Sequence, residues 1–132
     1  MREEILAYLE SMRAEEFFNE EDEEWQFSNG SACGVCTASA MLVAKRFCGT
    51  VFGYNCADNR AAEIGFPVTH GHDFALIRER WLVDYWAWRV ESLITEPTFD
   101  LTLREEQEVV RRFYGDPLIW SIVETFTPHG QK

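Results

Sequence analysis

The chain has 132 residues, of which 46% are hydrophobic and 14% aromatic, so it is able to bury the core of one domain. Its formal net charge of −11 would repel phosphate backbones, which argues against nucleic-acid binding. The sequence has no apolar run of membrane-spanning length, and its first residues lack the basic and apolar regions of a signal peptide. We therefore expect a single cytoplasmic domain over residues 1–132 that does not bind membranes and whose cysteines stay reduced.

The first half of the chain predicts two helices with an acidic segment between them. Residues 2–17 place Ile5 and Leu9 on one stripe of a helix. Acidic residues dominate positions 15–24, which we interpret as a solvated helix end or loop. A loop of small residues then precedes a second helix over 36–47, where good helix formers occur without glycine or proline. This second helix would begin at a cysteine.

The remainder of the chain predicts a sheet and one further helix. A strand is expected over 49–55, and two more, over 72–77 and 81–88, flank the charged turn Arg-Glu-Arg. Connecting chain follows, and then a capping box, Thr-x-x-Glu, opens a helix over 102–114. A last strand is expected over 118–126. This succession predicts an α+β fold in which helices pack on an antiparallel sheet.

The residues that carry chemistry are a cysteine, a histidine and an aspartate. Cys36 opens the second helix, where unpaired backbone N–H groups and the helix dipole favour a thiolate. Small residues around it would let a carbonyl group approach. His72 would be the base that takes the thiol proton and later returns it, and Asp84 would orient the imidazole.

The length of the turn decides whether His72 and Asp84 can meet. Side chains alternate between the two faces of a strand, so paired residue numbers must have an even sum for the two residues to share a face. A three-residue loop over 78–80 would place Asp84 diagonal to His72, and a loop over 77–79 would place them directly opposite. A two-residue turn at 79–80 would put them on opposite faces.

The order and spacing of these residues resemble a family. About three dozen residues separate the cysteine from the histidine, and about a dozen more precede the aspartate. Together with the pieces "GVCTASA", "GTVFGYN", "HDFALI" and "RWLVD", this pattern is similar to the transglutaminase-like core of the papain-like cysteine protease superfamily. The resemblance covers residues 29–88. It implies a central helix that bears the cysteine and packs on an antiparallel sheet, with thiol acyl chemistry that needs no cofactor.

The resemblance also implies a division of the chain and a class of substrate. Residues 1–28 would form an N-terminal helix and acidic segment, 29–90 the Cys-His-Asp core, and 91–132 a C-terminal helix and strand. The implied activity is that of a cysteine-dependent hydrolase or acyl transferase, which covers peptidases, amidases, deamidases and transglutaminases. We expect a protein or peptide substrate, and the acidic composition favours a basic one.

The expected donor to the oxyanion departs from the papain pattern. Papain-type enzymes carry a glutamine a few residues before the nucleophile, whereas this chain has Gly30 at that spacing. Asn29 lies beside this position and Gln26 lies further back. We therefore expect the backbone N–H of Cys36 to hold the oxyanion, with Asn29 and Gln26 as further candidate donors.

Three other interpretations of the cysteines are open. Cys33, Cys36, Cys48 and Cys56 could form a zinc site, but the helix would separate Cys36 from Cys48 by about 18 Å, so we expect no metal. Cys33 and Cys36 could form a redox pair, yet no convincing strand precedes them. The chain could also be a small acidic binding or inhibitor protein with a degenerate papain-like fold, in which Cys36 would be no more reactive than the other thiols.

Overall fold

The structure is a computed structural model that describes residues 1–12, 35–55, 59, 71–90, 92–128 and 130–131. Three α-helices occur within these ranges: α1 (Arg2–Ser11), α2 (Val35–Phe47) and α3 (Arg104–Tyr114). The same ranges contain six strands: β1 (Thr50–Asn55), β2 (Gly71–Ile77), β3 (Trp81–Val83), β4 (Thr98–Asp100), β5 (Ser121–Thr127) and β6 (Gly130–Gln131). A π-helical turn spans Trp86–Val90, and a 3-10 turn spans Pro117–Ile119.

The strands form one antiparallel sheet in the order β4-β3-β2-β1-β5-β6. Helices pack against it, which confirms the α+β class expected from the sequence. β2 and β1 occupy the centre of the sheet, so residues on them are covered by neighbouring strands on both edges. β6 adds only two residues beside the end of β5.

Alternation along the central strands divides the core into two layers. Ala75, Ile77 and Val83 point to the face covered by α1 and α2, where they join an apolar cluster. Phe74 and Leu82 point to the opposite face, which α3 covers. The sheet therefore lies between two layers of helices, and each apolar strand residue is buried against one of them.

The hairpin of β2 and β3 has the three-residue loop that the first alternative required. Ile77 is paired with Trp81, so Arg78, Glu79 and Arg80 form the loop. Arg78 and Glu79 adopt left-handed backbone conformations, with φ of 55° and 56°. The N–H of Arg80 donates to the carbonyl oxygen of Ile77 at 3.0 Å, which closes the turn. With this register, Asp84, which directly follows β3, lies on the same face of the sheet as the even-numbered residues of β2, which include His72.

Two predictions about strands are wrong, and the structure gives the reasons. The predicted strand over 81–88 ends at Val83, because the backbone then turns and the N–H of Ala87 donates to the carboxylate of Asp84 at 3.0 Å. Residues 98–100, within the segment interpreted as connecting chain, form β4 instead. They pair with β3, whose other edge is paired with β2.

The helices lie near their predicted positions, but the residues at which they begin and end differ from the prediction. α1 ends at Ser11, and residues 13–17 of its predicted extent lie outside the described residues. The capping box at 102–105 is wrong: α3 begins at Arg104, and the Thr102 hydroxyl donates instead to Asp100 at 2.6 Å. The described part of the chain holds no helix with the length and apolar character needed to cross a membrane.

Candidate active site

Cys36 is the second residue of α2 and lies in its first turn. The residue is half-buried. Small residues follow it, and two of them, Ala38 and Ala40, are buried, which allows the helix to pack closely on the sheet. The hydroxyl of Ser39 donates to the carbonyl oxygen of Cys36 at 3.0 Å, a contact that fixes the backbone of the first turn.

His72 lies near the beginning of β2, and its side chain is completely buried. Aromatic rings surround the imidazole: its centroid is 4.8 Å from that of Trp86, 6.0 Å from Tyr114 and 6.1 Å from Tyr54. These rings fix the plane of the imidazole and exclude bulk water from it. A buried imidazole needs polar partners to hold a charge, and Asp84, which directly follows β3, supplies one.

Asp84 follows β3 directly and is buried on the same side as His72. Its Oδ2 atom lies 2.5 Å from Nε2 of His72. The same oxygen accepts a hydrogen bond from the Tyr114 hydroxyl at 2.6 Å, and Oδ1 accepts from the N–H of Ala87 at 3.0 Å. Its own backbone N–H donates to the carbonyl oxygen of Pro97 at 2.9 Å. The carboxylate is therefore held in one orientation by groups from three parts of the chain.

The electrostatics of this cluster favour a protonated imidazole. Burial alone would lower the pKa of His72, but the charge and hydrogen bond of Asp84, together with the interaction with Cys36, raise this pKa to about 10. Burial and the neighbouring carboxylate raise the pKa of Tyr114 well above its usual range. The Tyr114 hydroxyl is thus a neutral donor to Asp84.

The thiol of Cys36 lies close enough to the His72 imidazole to contribute to its raised pKa. A second contact joins the same two elements. The hydroxyl of Thr37, which follows Cys36, donates at 2.5 Å to Oδ2 of Asp73, which follows His72. The structure therefore places His72 and Asp84 in direct contact, with the Cys36 thiol near the imidazole, and the Thr37–Asp73 hydrogen bond ties the first turn of α2 to the beginning of β2.

Sequence reasoning missed Tyr114 and the Thr37–Asp73 contact. Tyr114 is the last residue of α3 and lies 30 positions after Asp84, so no local spacing relates the two. The sequence did offer a signal for the Thr37–Asp73 contact, because a hydroxyl and a carboxylate occupy the positions next to Cys36 and His72. Thr37 immediately follows Cys36 in the sequence, and Asp73 immediately follows His72.

Other residues that the sequence proposed lie outside the described residues. These are the candidate oxyanion donors Asn29 and Gln26, and the cysteines at positions 33 and 56. Cys36 lies in the first turn of α2, whereas Cys48 directly follows the last residue of this helix. Within the described ranges, no group of three or more histidine, cysteine, aspartate or glutamate side chains is arranged to hold a metal ion.

Comparisons of the chain with protein-family models, with curated proteins and with solved structures found no match. Support for a function therefore comes from two sources. One is the arrangement of Cys36, His72 and Asp84, and the other is the resemblance of the sequence around them.

Proposed function

We propose that this protein is a cysteine-dependent hydrolase or acyl transferase, with a transglutaminase-like core of the papain-like superfamily. One observation carries the proposal: the Asp84 carboxylate contacts a buried imidazole, and the Cys36 thiol lies near enough to that imidazole to help raise its pKa. A buried carboxylate–imidazole–thiol chain is the arrangement that activates a sulfur nucleophile. The α+β fold, with the thiol at a helix N-terminus and the imidazole on the adjoining strand, is compatible with such a core.

In the proposed reaction, the first step forms a thioester. His72 holds the proton of Cys36 as an imidazolium, and the thiolate sulfur attacks the carbonyl carbon of the substrate, forming a carbon–sulfur bond. Because Nε2 of the imidazole contacts Asp84, Nδ1 is the atom that would exchange this proton. The electron pair of the carbonyl moves to oxygen, which N–H groups in the first turn of α2 would stabilise.

The second half of the reaction releases the products. The tetrahedral intermediate collapses as His72 returns its proton to the leaving amine, and the carbon–nitrogen bond breaks. Water or an amine then attacks the thioester, and His72 takes a proton from this attacking group and returns it to the departing sulfur. Water gives hydrolysis or deamidation, and an amine gives acyl transfer.

Acylation by an activated ester tests this proposal without knowledge of the natural substrate. We expect p-nitrophenyl acetate to release a burst of p-nitrophenolate and to leave an acetyl group on Cys36, detected by peptide mass mapping. Cys48 is the matched internal control, because it is the more exposed thiol in the described part of the chain. Cys48→Ser should retain the burst, whereas Cys36→Ser should lose it and His72→Ala should slow it by at least tenfold.

The opposite pattern would remove the proposal. If Cys48 were acetylated as fast as Cys36, or if His72→Ala left the rate at Cys36 unchanged, the thiol would not be activated by the imidazole. The chain would then fit a non-enzymatic binding protein that uses the same fold. The folded state of each variant is checked by circular dichroism before the rates are compared.

A further inference from the structure

A carboxylate outside the triad lies close to the thiol. Asp73 follows His72 on β2, so its side chain points to the other face of the sheet, toward the first turn of α2. The sulfur of Cys36 is 4.0 Å from Oγ1 of Thr37, and this hydroxyl is 2.5 Å from Oδ2 of Asp73. The carboxylate oxygen therefore lies within about 6.5 Å of the sulfur, the sum of these two contacts.

Within the ranges that the structure describes, no basic residue neutralises the charge of Asp73. Its hydrogen-bond donor, Thr37, is a neutral hydroxyl, and within the described part of the chain Asp73 forms no ion pair. The basic residues of α2, Lys45 and Arg46, lie in its last turn, at the far end from the thiol. The residue is half-buried, so its field reaches the sulfur with less screening than that of a fully solvated carboxylate.

The position of this carboxylate is built into the sheet. Asp73 is paired with Gly53 on β1. A Cβ atom at position 53 would overlap with Oδ1 of Asp73, so the absence of a side chain there makes room for the carboxylate. Thr37 holds the other oxygen, so both oxygens have defined surroundings beside the nucleophile.

Among the described residues, the charges around the thiol sum to an excess of negative charge in the proposed reactive state. The imidazolium of His72 offsets one of three negative groups: the Cys36 thiolate, the Asp84 carboxylate and the Asp73 carboxylate. The dipole at the start of α2 adds only about half a positive charge. We propose that Asp73 is a specificity-determining residue, which makes this site favour peptide substrates that carry a basic side chain next to the reacting carbonyl. The inference rests on the proposed function and names the substrate class of that same site.

Charged thiol reagents measure this selectivity directly. Methanethiosulfonates react when the thiolate attacks the sulfenyl sulfur, which forms a disulfide and releases methanesulfinate. We would compare the rate at Cys36 for a cationic reagent, trimethylammonioethyl methanethiosulfonate, with the rate for an anionic one, sulfonatoethyl methanethiosulfonate. Methyl methanethiosulfonate is the neutral reference, and mass mapping assigns each rate to Cys36. The variants are Asp73→Asn, which is nearly isosteric, and Thr37→Val, which removes the hydrogen bond but keeps the charge.

The expected result is a loss of charge preference in one variant only. At the dielectric constant of water, the unit charge of Asp73 about 6.5 Å from the charge of a reagent changes the reaction rate by about threefold. The ratio of cationic to anionic rates should therefore fall by about tenfold in Asp73→Asn and stay within about threefold of wild type in Thr37→Val. In the wild type, raising the salt concentration should lower the same ratio, because screening weakens the attraction.

A ratio that is equal in the wild type and Asp73→Asn, and insensitive to salt, would overturn the inference. An equal fall in Thr37→Val and Asp73→Asn would also overturn it, since geometry rather than charge would then set the preference. The rate with the neutral reagent keeps the two proposals apart. If it is fast at Cys36 and depends on His72 while the ratio is unchanged, the proposed function stands and the role of Asp73 is lost.

Discussion

The hydroxyl of Tyr114 offers a direct test of how Asp84 is held. Tyr114→Phe removes one donor from Oδ2 of the carboxylate and leaves the ring, which is fully buried and packs against Phe74 at a centroid distance of 5.0 Å. The fold should therefore be retained. Two donors to Asp84 would remain, His72 and the N–H of Ala87, so the carboxylate loses part of its support and not all of it.

The magnitude follows from the charge of the acceptor. A buried hydrogen bond to an ionised group contributes about 1.5–3 kcal/mol, and the phenylalanine variant recovers part of this because it buries no hydroxyl. We expect Tyr114→Phe to lower the free energy of unfolding by about 1–2 kcal/mol. A matched control is Tyr85→Phe, whose hydroxyl donates at 3.0 Å to a neutral carbonyl oxygen of Met12 and should cost less.

A double-mutant cycle attributes the effect to the contact with Asp84. Urea denaturation would be measured for the wild type, Tyr114→Phe, Asp84→Asn and the double variant. Because the asparagine still accepts a hydrogen bond but carries no charge, the coupling should be about 1 kcal/mol, the difference between a charged and a neutral bond. Additivity within about 0.3 kcal/mol would refute the reasoning, since it would mean that the hydroxyl does not act on the carboxylate.

Three further predictions concern pH, the sheet and the core. Because the pKa of His72 is raised to about 10, its pairing with Asp84 stabilises the fold fully below pH about 6.5 and progressively less as pH rises through about 10. The thermal unfolding midpoint of the wild type should therefore decrease between these two pH values. A smaller decrease in Asp84→Asn would show that the loss of stability comes from the pairing of His72 with Asp84. Gly53→Ala should lower the free energy of unfolding by about 1–3 kcal/mol in urea, because its Cβ would displace the Asp73 carboxylate; an unchanged midpoint would contradict this. Ile5→Ala should cost about 2–5 kcal/mol by the same measurement, because the side chain is fully buried under the sheet, while the alkylation rate at Cys36 in the folded variant stays at the wild-type value.

The parts of the site predicted from the sequence are those that local rules control. A helix starting close to Cys36 followed from the run of helix formers after a small-residue loop, and α2 begins one residue earlier. The shared face of His72 and Asp84 followed from the parity of the hairpin, and the three-residue loop satisfies it. Both inferences use spacings of a few residues along one element, where the backbone geometry leaves few choices.

The parts that sequence reasoning missed depend on contacts between distant segments. Tyr114 reaches Asp84 only because α3 packs over the face of the sheet that holds Phe74 and Leu82, which is a tertiary arrangement. The sequence predicts connecting chain at β4, because three residues are too few to show an alternating pattern. It also predicts too long a β3, because the polar contact between Asp84 and the N–H of Ala87 overrides the strand propensity of the aromatic residues that follow.

The measurement that bears most directly on the proposed triad is the rate of alkylation at Cys36 as a function of pH, in the wild type and in Asp84→Asn. Iodoacetamide labels the native protein, and mass mapping follows the Cys36 peptide with Cys48 as the internal reference. Removing the charge of Asp84 should lower the pKa of His72, which weakens the imidazolium that supports the thiolate. We predict that Asp84→Asn stays folded but is alkylated more slowly at Cys36 near neutral pH, with no change at Cys48. If the two Cys36 profiles overlay across the whole range, Asp84 is no part of the site, and the Cys36–His72–Asp84 account is contradicted.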